Sequence, residues 1–107
     1  MKVIVVSEEM VTPQIGQIVR VTHGREQNKI AVIIDIIDDR YVLLADGDKR
    51  KYDRPKKKNI NHFEGTPFIS QEVRESLLET GRVSNGKLRF AVAKYEQEVV
   101  TELEKGD

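Results

Sequence analysis

The sequence predicts a mainly β protein with α additions: a small closed barrel of five strands, then two short C-terminal helices. Three observations carry this. Residues 17–63 hold five short apolar or alternating segments separated by polar turns. One of them, residues 30–37, is apolar on both faces and so needs cover from two sides. Beyond residue 65 the apolar spacing changes from two residues to three or four, the period of helices that pack by one stripe.

The elements follow in chain order. Residues 1–13 read as an N-terminal extension. Its apolar start, Met1-Lys2-Val3-Ile4-Val5-Val6, suits a short strand or a disordered arm and is too short for a signal core or a membrane span. Residues 17–22 alternate around Val19 and Val21. Thr22 to Asn28 is a polar hairpin loop in which Gly24 and Asn28 tolerate positive φ. In residues 30–37, Ile30, Val32, Ile34 and Ile36 form one face, while Ala31, Ile33 and Ile37 make the other apolar too, broken by Asp35. A barrel interior covers one face and the C-terminal helices cover the other. Asp38-Asp39-Arg40 turns the chain into the strand Tyr41-Val42-Leu43-Leu44-Ala45. Asp46-Gly47 signals a second hairpin, leading to a short strand over residues 49–52. Pro55 interrupts pairing, and residues 59–63 alternate as the last strand. Closing so small a sheet removes its exposed edges, which gives an SH3-like barrel over residues 14–64.

Gly65-Thr66-Pro67 marks a boundary, and residues 65–107 form a helical segment docked on the barrel. Ser70 caps a first helix that carries Glu72 in its first turn and Val73, Leu77 and Leu78 on its length, and Gly81 ends it. Ser84 or Asn85 caps a second helix with the stripe Leu88, Ala91, Val92, Tyr95 and Val99. Neither helix is long enough to stand alone.

Composition narrows the function. There is no cysteine, which excludes disulfides and thiolate chemistry and suits a soluble cytoplasmic protein. No nucleophile sits in a recognisable motif, and no glycine-rich phosphate loop precedes a helix. Asp38-Asp39 reads as turn chemistry. The two histidines, His23 and His62, have no ligand spacing that would build a metal site. The expectation is a protein with no catalytic residues, no metal and no cofactor.

Charge points elsewhere. The chain is formally neutral, yet residues 14–63 hold eleven Lys/Arg against seven Asp/Glu, and residues 64–107 hold six against nine. A basic front half with an acidic tail suggests a nucleic-acid surface on the first half. The densest run, Lys49, Arg50, Lys51, Arg54, Lys56, Lys57 and Lys58, is the first candidate for RNA contact, because Arg can bridge phosphate oxygens and Lys supplies a mobile point charge. The competing reading is a solvated loop offset by Asp46, Asp48 and Asp53. The second candidate is the loop of Thr22, His23, Gly24, Arg25 and Lys29, whose backbone N–H groups could cradle a phosphate or a splayed base. A plain hairpin loop is the competing reading. His62 either stacks on a base or finishes a strand. Tyr41 and Tyr95 read as core, and Tyr52, set among basic residues, could stack on RNA.

These residues carry a family resemblance. Gly16-Gln17-Ile18-Val19-Arg20-Val21, then His23-Gly24-Arg25 and Lys29, then the Val/Ile strand to Ile37, resemble a KOW domain. That domain is an SH3-like barrel found in ribosomal proteins and NusG-type transcription factors. Residues 41–51, with their Ala-Asp-Gly-Asp, and Pro55-Lys56-Lys57-Lys58-Asn59-Ile60-Asn61-His62 resemble a bacterial group of small KOW RNA-binding proteins. That group is similar to a KOW-containing large-subunit ribosomal protein of archaea and eukaryotes. The resemblance covers roughly residues 14–98. Asn28 departs from it, standing where many KOW loops have Gly. The resemblance implies a non-enzymatic protein that docks on RNA, most readily ribosomal RNA of the large subunit, in translation or ribosome assembly. It also leaves a second class open, a KOW module that acts in transcription elongation or on a protein partner, with the acidic C-terminal helices as the surface for that partner.

Overall fold

The computed structural model describes residues 12–105, with side chains described through residue 98. The expected strand or arm at residues 3–6 and the side chain of Val99 lie outside the described residues. The elements are β1 (Gln17–Val21), β2 (Ile30–Ile36), β3 (Tyr41–Ala45), β4 (Lys56–Asn59), a 3₁₀ turn (Ile60–His62), β5 (Phe63–Ile69), α1 (Gln71–Thr80) and α2 (Asn85–Lys105). The strands form one antiparallel sheet in the order β4-β3-β2-β1-β5.

The mainly β class, the five strands and the two following helices are as expected; closure is not. No ladder joins β4 to β5 among the described residues. The sheet is nevertheless strongly curled, for a geometric reason. β4 and β5 are its opposite edges, and in a flat sheet they would lie ~19 Å apart. The 3₁₀ turn that links them allows four chain steps, a reach of about 14 Å. The sheet must therefore bend until its edges approach. Backbone bonds seat the turn there: Ile60 N donates to Arg40 O (2.8 Å) and Thr22 N to His62 O (2.9 Å).

The last two strands fall later than the sequence predicts. Residues 49–52 do not form a strand, because the Asp46 carboxylate captures the backbone first. Its Oδ1 accepts from Asp48 N (2.8 Å) and Arg50 N (2.9 Å), folding the segment into a turn. Pairing starts only after Pro55, which has no N–H to give. Residues 60–62 are 3₁₀ rather than strand, capped by Asn59 Oδ1 accepting from Asn61 N (2.8 Å). β5 then runs on through Gly65-Thr66-Pro67 to Ile69, so the segment that reads as a boundary is strand, with Pro67 tolerated because β5 is an edge.

The two apolar faces of β2 each find cover. One packs with Ile18 and Ala45 against Val73, Val83, Leu88 and Ala91 of the helical segment. The other, with Val19, Val21, Val42, Leu44 and Phe63, fills the concave side of the curl. Each fully buried side chain of the size of Ile33 or Leu88 contributes ~1.5–3 kcal/mol. The cover ends before the strand does. Past a register shift between Ile33 and Asp35, Ile36 and Ile37 stand 40% and 45% exposed, although both read as core in the sequence.

The helices keep their predicted caps. Ser70 Oγ accepts from Val73 N (3.2 Å), and Gly81 closes α1 at φ 74° with its N–H on Leu77 O (2.9 Å). Leu78 is 66% exposed and takes no part in the core. Of the two residues that could cap α2, Ser84 does so, its Oγ accepting from Lys87 N (3.1 Å). Asn85 instead accepts from Tyr52 N (2.7 Å), and Tyr52 Oη donates to Gly81 O (2.9 Å). Tyr52 is thus a strut between the 46–52 loop and the helices. α2 spans 21 residues and is not the short helix expected.

Gly47 is where α2 lands. It sits at φ 82°, and a Cβ there would lie 2.2 Å from Asn85 O. Arg89 Nη1 fixes the contact by donating to Gly47 O (2.8 Å). Gly47→Ala should therefore cost about 2–4 kcal/mol, combining left-handed strain with a backbone clash. Gly81→Ala, at a similar φ but with open space around it, should cost only about 1 kcal/mol. Urea unfolding of both variants checks the difference.

Candidate nucleic-acid interface

Strand alternation decides the fate of the Lys56-Lys57-Lys58 run. Successive side chains of β4 point to opposite faces, so Lys57 parts from its neighbours. Lys57 stays exposed, with Nζ 4.6 Å from the centre of the Tyr41 ring, a cation–π contact. Lys56 is half-buried. Lys58 is only 8% exposed, and its Nζ donates to His23 O (2.9 Å). It reaches across the concave side and ties the β4 edge to the loop between β1 and β2. Its charge therefore serves first to hold that loop.

The loop is shaped for the tie. Gly24 sits at φ 95°, where a Cβ would be 3.1 Å from Lys58 Nζ. Asn28 takes φ 72°, with its N–H on Val21 O (2.7 Å). The Thr22 hydroxyl lies 2.8 Å from His23 Nδ1 and orients that ring. The His23 and His62 rings meet at 5.0 Å between centroids with a 32° tilt. Thr22, His23, Gly24, Lys58 and His62, far apart in sequence, are thus one surface feature. Among the described residues no group of three or more His, Asp or Glu is placed to hold a metal ion.

A second group forms nearby. Arg50 Nε donates to Glu26 Oε1 (2.8 Å), joining the 46–52 loop to the first loop and neutralising much of its own charge. Lys29 and Lys49 line a small cavity beside this pair. They also face a shallow cleft with Arg89 and Glu96 of α2. Arg89 escapes the sequence reading because it belongs to the acidic half; its place follows from the docking of α2 on Gly47. Lys51 and Arg54 stay in their own turn, with Arg54 N on Lys51 O (3.0 Å), exposed and without an ion pair among the described residues. Arg25 is exposed beside Gly24 and likewise carries no ion pair. On β1, Arg20 faces Glu64 of β5 at 2.5 Å, and that hydrogen bond and charge raise the guanidinium pKa above its ordinary value. Arg20 is therefore engaged locally.

Known proteins are similar to this chain. It is 44% identical over 71 residues to the Bacillus subtilis (strain 168) protein named "Putative ribosome-binding protein YbzG", an overlap of 66% of this chain and 96% of that one. The chain belongs to the same family. It is also 32% identical over 76 residues to large ribosomal subunit protein eL14 of Hyperthermus butylicus, covering 78% of that protein. To eL14 of Sulfolobus acidocaldarius it is 33% identical, covering 79%. No protein-family model matches the chain. The resemblance to a bacterial group close to a KOW-containing large-subunit protein thus stands on sequence identity across most of each relative.

Lys58→Ala should destabilise the fold by about 1–2 kcal/mol through loss of the His23 tie, whereas Lys57→Ala should stay within about 0.5 kcal/mol. Urea midpoints of the two single variants check this.

Proposed function

We propose that this chain is a non-enzymatic, cytoplasmic RNA-binding protein that associates with the ribosome and docks on ribosomal RNA of the large subunit. The observation that carries the reading is family membership: the matched relatives are a protein named for ribosome binding and a large-subunit ribosomal protein. The geometry supplies a means. Arg25, Lys29, Lys49, Lys51 and Arg54 are exposed on the two loops at one end of the sheet, and none is in an ion pair among the described residues. Lys57 adds an exposed charge on β4, and Arg50 and Lys56 are half-exposed. Contacts of this kind to phosphate position a protein on RNA without reading sequence. We further read the curled sheet as an SH3-like barrel of the KOW type, in which the 3₁₀ turn replaces the closing ladder. No described helix is long and apolar enough to cross a membrane.

A second reading, a protein partner on the acidic helices, draws on Leu78 and Phe90, which stand 66% and 59% exposed there.

Sedimentation of the tagged protein from lysate through sucrose at low and high salt tests the first reading. Comigration with the large subunit that weakens as salt rises is expected. A signal confined to the top of the gradient at every salt would overturn it. On purified large-subunit RNA, the Arg25→Ala, Lys29→Ala, Lys49→Ala triple variant should bind more weakly. Its salt slope should be shallower by about 0.7–0.9 for each phosphate it no longer neutralises. Lys58 is left intact there, so that loss of binding is not loss of the loop.

A further inference from the structure

Resting on the RNA-binding reading above, we propose that His23 and His62 form a stacking platform for one unpaired nucleobase. Both rings are exposed, and they already lie against each other at 5.0 Å with a 32° tilt. They come from different segments, and each segment is pinned. The His23 carbonyl is held by Lys58, and its ring is oriented by the Thr22 hydroxyl. The 3₁₀ turn that carries His62 is capped by Asn59 and tied by His62 O to Thr22 N. A pair of planar rings held in place at the surface has little ordering left to do when a third ring joins it.

The chemistry of the surroundings selects the ligand. Neither histidine is in an ion pair with a carboxylate among the described residues, so no built-in counter-charge competes for the rings. The Lys58 ammonium, which reaches this loop, donates to the backbone carbonyl of His23. What the platform offers is therefore ring face more than charge, with Arg25, one residue beyond Gly24, available to the backbone phosphate of the same nucleotide. A base inside a duplex has no free face to give. Imidazole is among the side chains on which splayed RNA bases stack, so the occupant is a nucleotide in a loop, bulge or single strand. The protein would then place itself by phosphate contacts and choose unpaired over paired RNA by this platform.

The test uses fluorescence anisotropy of the full chain with two probes, a fluorescein-labelled single-stranded RNA oligonucleotide and the duplex of the same sequence. His62→Ala should weaken single-strand binding about tenfold, the size of one missing base stack, and leave duplex binding unchanged. His62→Phe, a ring without charge, should bind the single strand like the unaltered chain. His62→Lys, a charge without a ring, should bind as poorly as the Ala variant. His23→Ala repeats the test on the other ring, with urea midpoints confirming that each variant is folded. Unchanged single-strand binding in both Ala variants, rescue by Lys instead of Phe, or equal losses on both probes would overturn the platform and leave the RNA-binding reading standing. Failure of the unaltered chain to bind either RNA, or the large-subunit RNA, would overturn both.

Discussion

A strand that is apolar on both faces cannot rest against solvent, and β2 is such a strand. Ile33 and Val32 point to opposite sides and both are fully buried. One side requires the sheet to bend round a core of its own; the other requires something to lie on its back. The curl and the C-terminal helices are two answers to this one requirement. The three-residue turn between β4 and β5 makes the curl obligatory, and the landing of α2 on Gly47 makes the helical cover close.

The turns that hold the fold also prepare the surface. Asp46 folds the 46–52 loop with its own carboxylate, which presents Gly47 to α2 and Tyr52 to Asn85. The same loop sends Arg50 to Glu26 and so fixes its distance from the first loop. Lys58 also holds that first loop, through the His23 carbonyl. Cations that look alike in the sequence are therefore divided in their work. Lys58 and Arg50 hold loops in place, while Arg25, Lys29, Lys49, Lys51, Arg54 and Lys57 remain free of ion pairs among the described residues. On the proposed reading, such a surface would bind phosphates by charge and weaken with salt, and charge alone would give it no selectivity. The two histidine rings are the feature on it with a shape of its own.

Most of the fold was legible from local chemistry. β1, β2 and β3, the positive φ at Gly24 and Asn28, and the Ser70 and Gly81 caps depend on a few neighbouring residues, and the sequence carries them directly. The misplacements have local causes of a different kind. Side-chain oxygens of Asp46 and Asn59 outcompeted strand pairing for nearby N–H groups, which moved β4 and β5 downstream. An edge position made Pro67 acceptable inside a strand, and no local pattern announces an edge.

By itself, the sequence determined the class, the order of elements, the two-sided burial of β2, the basic first half and the family. Tertiary structure alone decided which lysine becomes a tie, that His23 meets His62, that Arg89 joins the basic loops, and that the sheet curls without a closing ladder. The physical reason is range. Propensity, caps and turn chemistry act over a few residues and are written in order along the chain. The face a side chain takes on β4, and what stands opposite it, depend on a curl that brings residues 22–24 and 58–62 together only once the whole sheet has formed.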